Sequence, residues 1–252
     1  MAHSASLTDD EMARYEWQMW SPDLGKEGQE RLKASTVLVS RVGGVGGTVA
    51  CYLAAAGVGR ILITHAGNVK PGDLNRQILM TTDWLGKPRV ESACRRLRAL
   101  NPEIEIIGLA ENINRSNASG LVKQSSVGVD AAPLFEERFA MNDACLEWKR
   151  PLVECAMFDF TAQLTTLIPG KTACLRCLYP EVPEEWKREF PVLGAVSGTV
   201  ACMAAVEVIK LITGIEAPLA GEILLMNLRS MSFRKLPILR RPDCRFCGNI
   251  SL

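Results

Sequence analysis

The sequence predicts an α/β protein whose mostly parallel sheet is flanked by helices and extended by mixed or antiparallel strands at the C-terminal end. Two observations carry this. Short β-branched runs alternate with helix-like segments over the first 160 residues, the pattern of parallel strands joined by helical crossovers. Beyond residue 161 strand-like runs gather around one long apolar stretch instead.

Taken in order, 36–40 (TVLVS) reads as a buried strand, and a glycine-rich turn and an apolar helical stretch over 48–56 follow it. Residues 60–64 (RILIT) give the second strand. The spacing of Val90, Cys94, Leu97 and Leu100 predicts a helix over 88–100. Strands follow at 103–109 and 126–131, a helix at 135–148, and a fifth strand at 152–157. The extension comprises strands at 163–168, 222–227 and 232–236 with the apolar helix 194–212 among them. The polar, proline-flanked segment 181–190 is the expected mobile loop.

Composition excludes several classes. The 252 residues are 48% hydrophobic and 23% charged, enough for a core without disulfides. A net charge of +1 gives no footprint for nucleic acid or an anionic membrane. No apolar run is expected to reach the roughly 20 residues that span a bilayer, and residues 1–16 lack an apolar signal core. The expected location is the cytoplasm.

Val42-Gly-Gly-Val-Gly46 follows a strand and opens a helix, the context of a Rossmann-like phosphate-binding turn. Gly43, Gly44 and Gly46 are the candidate cofactor-binding glycines. Arg41 stands where the first glycine of such a turn belongs, and the second strand runs into Thr64-His-Ala-Gly67 with no ribose-holding acid.

Nine cysteines are present, four of them as Cys174-Leu-Arg-Cys177 and Cys244-Arg-Phe-Cys247. Two such turns can present four thiolates to one tetrahedral zinc ion. With no open coordination position, the metal would be structural. Cys51, Cys94, Cys145, Cys155 and Cys202 read as ordinary buried thiols.

Together these motifs resemble the ThiF/MoeB/HesA family, the bacterial kin of ubiquitin-activating enzymes. Arg14-Tyr15, Gly25-Lys-Glu-Gly-Gln29, the glycine turn, Ala55-Ala-Gly-Val-Gly59, Leu74-Asn-Arg-Gln77, Leu85-Gly-Lys-Pro88, Asn101-Pro102 and both cysteine pairs stand in family order. The resemblance implies one ThiF-type domain over 1–252. Its nucleotide-binding half is 1–160 and its zinc-clipped, carrier-binding half 161–252. It implies ATP- and magnesium-dependent adenylation of the C-terminus of a ubiquitin-like or sulfur-carrier protein, by a dimer. Arg76 and Gln77 match the phosphate-facing pair, and Arg14 the arginine that serves the partner's site in trans. Arg138 and Asn142 match the helix after the fourth strand.

Other positions depart from the family. The ribose acid is His65, the acid two residues on is Gly67, and the asparagine before Leu-x-Arg-Gln is Asp73. The second arginine of the N-terminal motif is Trp17. Arg89 replaces the catalytic lysine, and Pro133 the magnesium-binding aspartate. The crossover loop near Lys187 has no cysteine. ATP and magnesium binding are therefore expected to be impaired. The leading expectation is a degenerate subunit paired with a competent paralogue; for partners the expectation is a homodimer or a heterodimer with such a paralogue, and a ubiquitin-like or sulfur-carrier protein. The alternatives are an active adenylyltransferase acting on a carrier or a small carboxylate, and a non-catalytic protein-binding module. A dinucleotide oxidoreductase is opposed by the missing ribose acid.

Overall fold

A computed structural model describes residues 6–248 except Glu185 and Arg188. One eight-stranded sheet runs in the order β3-β2-β1-β4-β5-β6-β7-β8. Strands β1 (Thr36–Ser40), β2 (Arg60–Thr64), β3 (Glu105–Leu109), β4 (Val127–Asp130) and β5 (Leu152–Phe158) pair in parallel. Strands β6 (Thr161–Leu167), β7 (Glu222–Asn227) and β8 (Ser232–Pro237) continue it antiparallel. The predicted architecture is therefore observed. Strands β1, β2 and β4 are buried over most of their length, as central parallel strands are, whereas β3 at the sheet edge is half-exposed.

The helices are α1 (Asp9–Met19), α2 (Gly25–Ala34), α3 (Gly44–Ala55), α4 (Arg89–Leu100), α5 (Ala118–Lys123), α6 (Phe135–Glu147), α7 (Leu175–Leu178) and α8 (Gly194–Thr213). One main core lies between the sheet and α3, α4 and α8, and a second under α5 and α6. Helix α8 corrects the sequence reading of apolar runs. It is 20 residues long, and an 18-residue window of it has a mean hydropathy of 1.8, enough by length and composition to cross a membrane. Here it packs against α2, α3, β4, β5 and β6. Its buried Glu207 accepts from Thr166 Oγ1 at 2.8 Å and the Leu219 amide at 2.6 Å, which marks a core helix.

Several motif residues serve the fold. Asn101 donates to Tyr15 Oη at 2.8 Å and to Ala54 O at 2.7 Å, while Gln29 donates to Ala56 O at 2.9 Å. Gly57 sits beneath them at φ +82°, where a β-carbon would meet Tyr15 Cζ at 2.5 Å. This buried knot binds α1, α2, α3 and the end of α4 together, so it holds β1 and the turn after it in place.

Candidate functional site

The glycine turn opens a cavity of about 420 Å³ at the C-terminal ends of the parallel strands. Its wall includes Gly43, Gly44, His65, Arg76, Gln77 and Arg89, which the sequence singled out from distant segments. Gly46 lies behind the turn. A β-carbon there would come within 2.3 Å of Arg41 O, so α3 can begin this close to β1 only with glycine. Arg41 takes the left-handed conformation, at φ +57°. Its guanidinium is committed to Glu137 on α6, with Nε 2.7 Å from Oε2 and Nη2 on Oε1. The residue that replaces a glycine thus carries its own internal counter-ion.

His65, at the place of a ribose-holding acid, is buried. Burial and then the guanidinium groups of Arg41 and Arg89 bring its pKa down to about 3, so the imidazole is neutral. It cannot supply the negative charge that a carboxylate would. Asp73 and Arg89 form the other internal pair. Asp73 Oδ2 accepts from Arg89 Nε at 3.0 Å and Nη2 at 2.7 Å, and from the Lys70 amide at 2.9 Å. Its Oδ1 accepts from Gln77 Nε2 at 2.7 Å. The two departures from the family pattern are one bonded unit.

The far wall is Ala131, Ala132 and Pro133, which follow β4. Asp130 is fully buried and turned away from it, its Oδ2 held 2.9 Å from Arg138 Nε. Arg138 also pairs with Glu154 of β5. Burial opposes its charge, but the two carboxylates more than compensate and raise its pKa. Magnesium therefore finds poor ligands. Of the described carboxylates, Asp73 and Glu189 line the cavity, and Asp73 is saturated. The residues present do not fit the metal that the family's chemistry uses.

Sequence reasoning missed Ser197, Trp186 and Phe190 on this wall. An aromatic pair in an otherwise polar segment was the available signal. Trp186 donates from Nε1 to Pro133 O at 2.8 Å and meets Phe135 edge-on at 5.5 Å. The segment read as a mobile loop is thus tied to the cavity's rim through Trp186. Arg14 lies apart from this cavity, on α1, where it donates to Leu100 O at 3.3 Å.

The four paired cysteines meet as expected, with every Sγ within 4.8 Å of the others. Cys174 is 3.8 Å from Cys244 and 3.9 Å from Cys177, and Cys177 is 3.5 Å from Cys247. Tetrahedral zinc thiolates, with bonds of about 2.3 Å, stand about 3.8 Å apart. These residues fit structural zinc. Burial pushes the Cys174 and Cys247 thiols up, whereas the backbone amides of Cys247 and Phe246 outweigh burial at Cys244 and bring it down to about 7. Asn142 accepts from the Leu175 amide at 2.8 Å, and Asp143 takes Arg176 at 2.9 and 2.7 Å, fastening the clip to α6.

The chain is 48% identical over 246 residues to the vegetative HesA protein of Trichormus variabilis, covering 98% of this chain and 93% of that one. It is 38% identical over 251 residues to a sulfur carrier protein adenylyltransferase of Thermus thermophilus, covering 96% and 93%. The crystal structure of E. coli MccB with MccA-N7isoASN has the same fold, with a TM-score of 0.84 at 23% identity, covering 98% of this chain and 77% of that one. The ThiF family pattern matches residues 15–246, and the chain belongs to the ThiF family.

Proposed function

We propose that this chain acts in the activation of a ubiquitin-like or sulfur-carrier protein as a degenerate subunit paired with a competent paralogue. The observation that carries this is the internal pairing of the cavity's substituted cations. Arg41 is spent on Glu137 and Arg89 on Asp73, while Pro133 stands where a metal carboxylate would be needed. Transition-state stabilisation of adenylation needs free cations and a metal where charge develops. In this reading Arg14 is offered to the partner's active site, where a guanidinium can stabilise a departing pyrophosphate. Residues 161–252 help hold the carrier.

The test is reconstitution with the native paralogue and carrier. Arg14→Ala should leave the complex intact and slow carrier adenylation about ten-fold or more. An unchanged rate in an intact heterodimer would leave Arg14 with a purely structural role. The second reading is an active adenylyltransferase. It draws support from the retained turn, from Arg76 and Gln77 on the cavity wall, and from the relative named for that activity.

A further inference from the structure

Segment 183–192, between the first cysteine pair and α8, passes over the ends of β4 and β5 and is held there unevenly. Its far end is fixed through the backbone. The Asp159 amide donates to Pro191 O at 2.9 Å, and Asp159 and Val192 form a parallel bridge. Its middle is held differently. Among the described residues, the one backbone bond of 184–190 runs from the Trp186 amide to Pro183 O, within the segment itself. Side chains supply the rest, and Trp186 makes the one hydrogen bond among them. Its indole Nε1 donates to Pro133 O at 2.8 Å, its ring meets Phe135 edge-on at 5.5 Å, and Phe190 beside it stacks on Phe158 at 6.0 Å. A segment tied down by few backbone bonds opens at a low free-energy cost once its side-chain anchor lets go.

Trp186 also stands at a junction. A second hollow, of about 480 Å³, lies at the antiparallel end of the sheet, lined by Gln163 of β6, Leu225 of β7 and Arg234 of β8. It shares Arg138, Ala156, Met157 and Trp186 with the glycine-turn cavity. Arg138 belongs to α6 and is locked in its pairs with Asp130 and Glu154, while Ala156 and Met157 belong to β5. Trp186 is the one shared wall carried by neither a strand nor a helix. Moving it would join the two hollows over Ala156, whose side chain is too small to obstruct.

The acceptor of the indole proton is particular to this chain. Pro133 stands where the family resemblance places a magnesium-binding aspartate, and it has no carboxylate to offer. Its carbonyl serves instead as the catch for Trp186. We propose that Trp186 is a latch, which closes the passage between the two hollows in the free chain and which an incoming carrier tail must displace. The proposal rests on the carrier reading above and adds a gating step to it.

Indole hydrogen exchange, followed by NMR on the full, zinc-loaded chain with the Trp186 signal assigned on the unaltered protein, tests the latch. The carrier probe is the sulfur carrier protein of Thermus thermophilus, the kind of protein for which the 38%-identical relative is named. In the free chain the Trp186 Nε1 proton should exchange at least about ten-fold more slowly than those of the exposed Trp17 and Trp20. That protection should be lost when the carrier binds. In stopped-flow mixing the association rate should level off with carrier concentration, because opening precedes entry. Trp186→Phe keeps a ring but removes the donated proton, and should raise that plateau about five-fold or more. A free-chain indole exchanging as fast as Trp17, or one still protected in the carrier complex, would overturn the latch. An unchanged plateau in a folded Trp186→Phe chain would do the same. The exchange measurement needs no variant, so a misfolded mutant cannot hide the answer. Carrier binding by neither chain, with the indole protected, would overturn the carrier reading and leave Trp186 a structural residue.

Discussion

Helix α6 touches both the cysteine clip and the glycine-turn cavity, and the two have met different fates. At the clip every group that zinc needs is present, and Asn142 and Asp143 of α6 fasten the loop that carries two of the ligands. At the cavity Glu137 of the same helix neutralises Arg41, while Asp73 neutralises Arg89. The difference separates two kinds of requirement. The clip answers to the fold, because it ties the chain's last described residues to its middle. The cavity's substituted cations are balanced from within, Arg41 by Glu137 and Arg89 by Asp73. A substituted cation is tolerable in a buried wall when a carboxylate arrives to pair it.

The comparison predicts where the molecule is fragile. The largest effect belongs to the clip. One zinc ion per chain is expected by metal analysis of reduced protein. Cys177→Ser should lower stability by about 3 kcal/mol or more, because structural metal binding is folding free energy. A zinc-free chain with an undiminished melting temperature would erase the distinction between the two regions.

His65 gives the next effect. Its folded pKa of about 3 lies below the ordinary 6.5. Between those values the unfolded chain takes up a proton that the folded chain refuses, so stability rises with pH across this window and is lost as pH falls. Acidification from about 6.5 to about 4 should cost up to about 3 kcal/mol from this residue alone. Urea unfolding at both pH values checks it, and His65→Asn should flatten that part of the acid limb.

The Asp73–Arg89 pair should show a smaller effect. Asp73→Ala strands a largely buried guanidinium and should cost about 2 kcal/mol. Adding Arg89→Met should recover at least half of that, since the second change removes the stranded charge. Additive losses in the double-mutant cycle would mean that the two residues are not the coupled unit described here.

Much of this was legible in the sequence. Strands β1, β2 and β5 stood out because buried parallel strands carry continuous apolar runs. Helix α3 begins at Gly44 rather than at 48, because its first turn is rich in glycine and packs closely on Arg41, Val42 and Ala131, the residues that follow β1 and β4. The third strand begins at Glu105 rather than 103, after a turn at Pro102 and Glu103. Helix α2 is largely polar and α5 is short, so neither shows a strong apolar period. In the site, spacing identified the cysteines and the turn. It could not join Arg41 to Glu137 across 96 residues, nor show that Asp73 and Arg89 are partners rather than two separate departures. Pairing of this kind is decided by which strand ends and loops the fold brings together.

The proposed loss of adenylation rests on the internal pairing of Arg41 with Glu137 and of Arg89 with Asp73. ATP–pyrophosphate exchange by the isolated full chain, with magnesium and the native carrier, tests it most directly. Exchange no higher than a protein-free control is expected, while a competent paralogue under the same conditions turns over. Sustained, carrier-dependent exchange by this chain alone would contradict it.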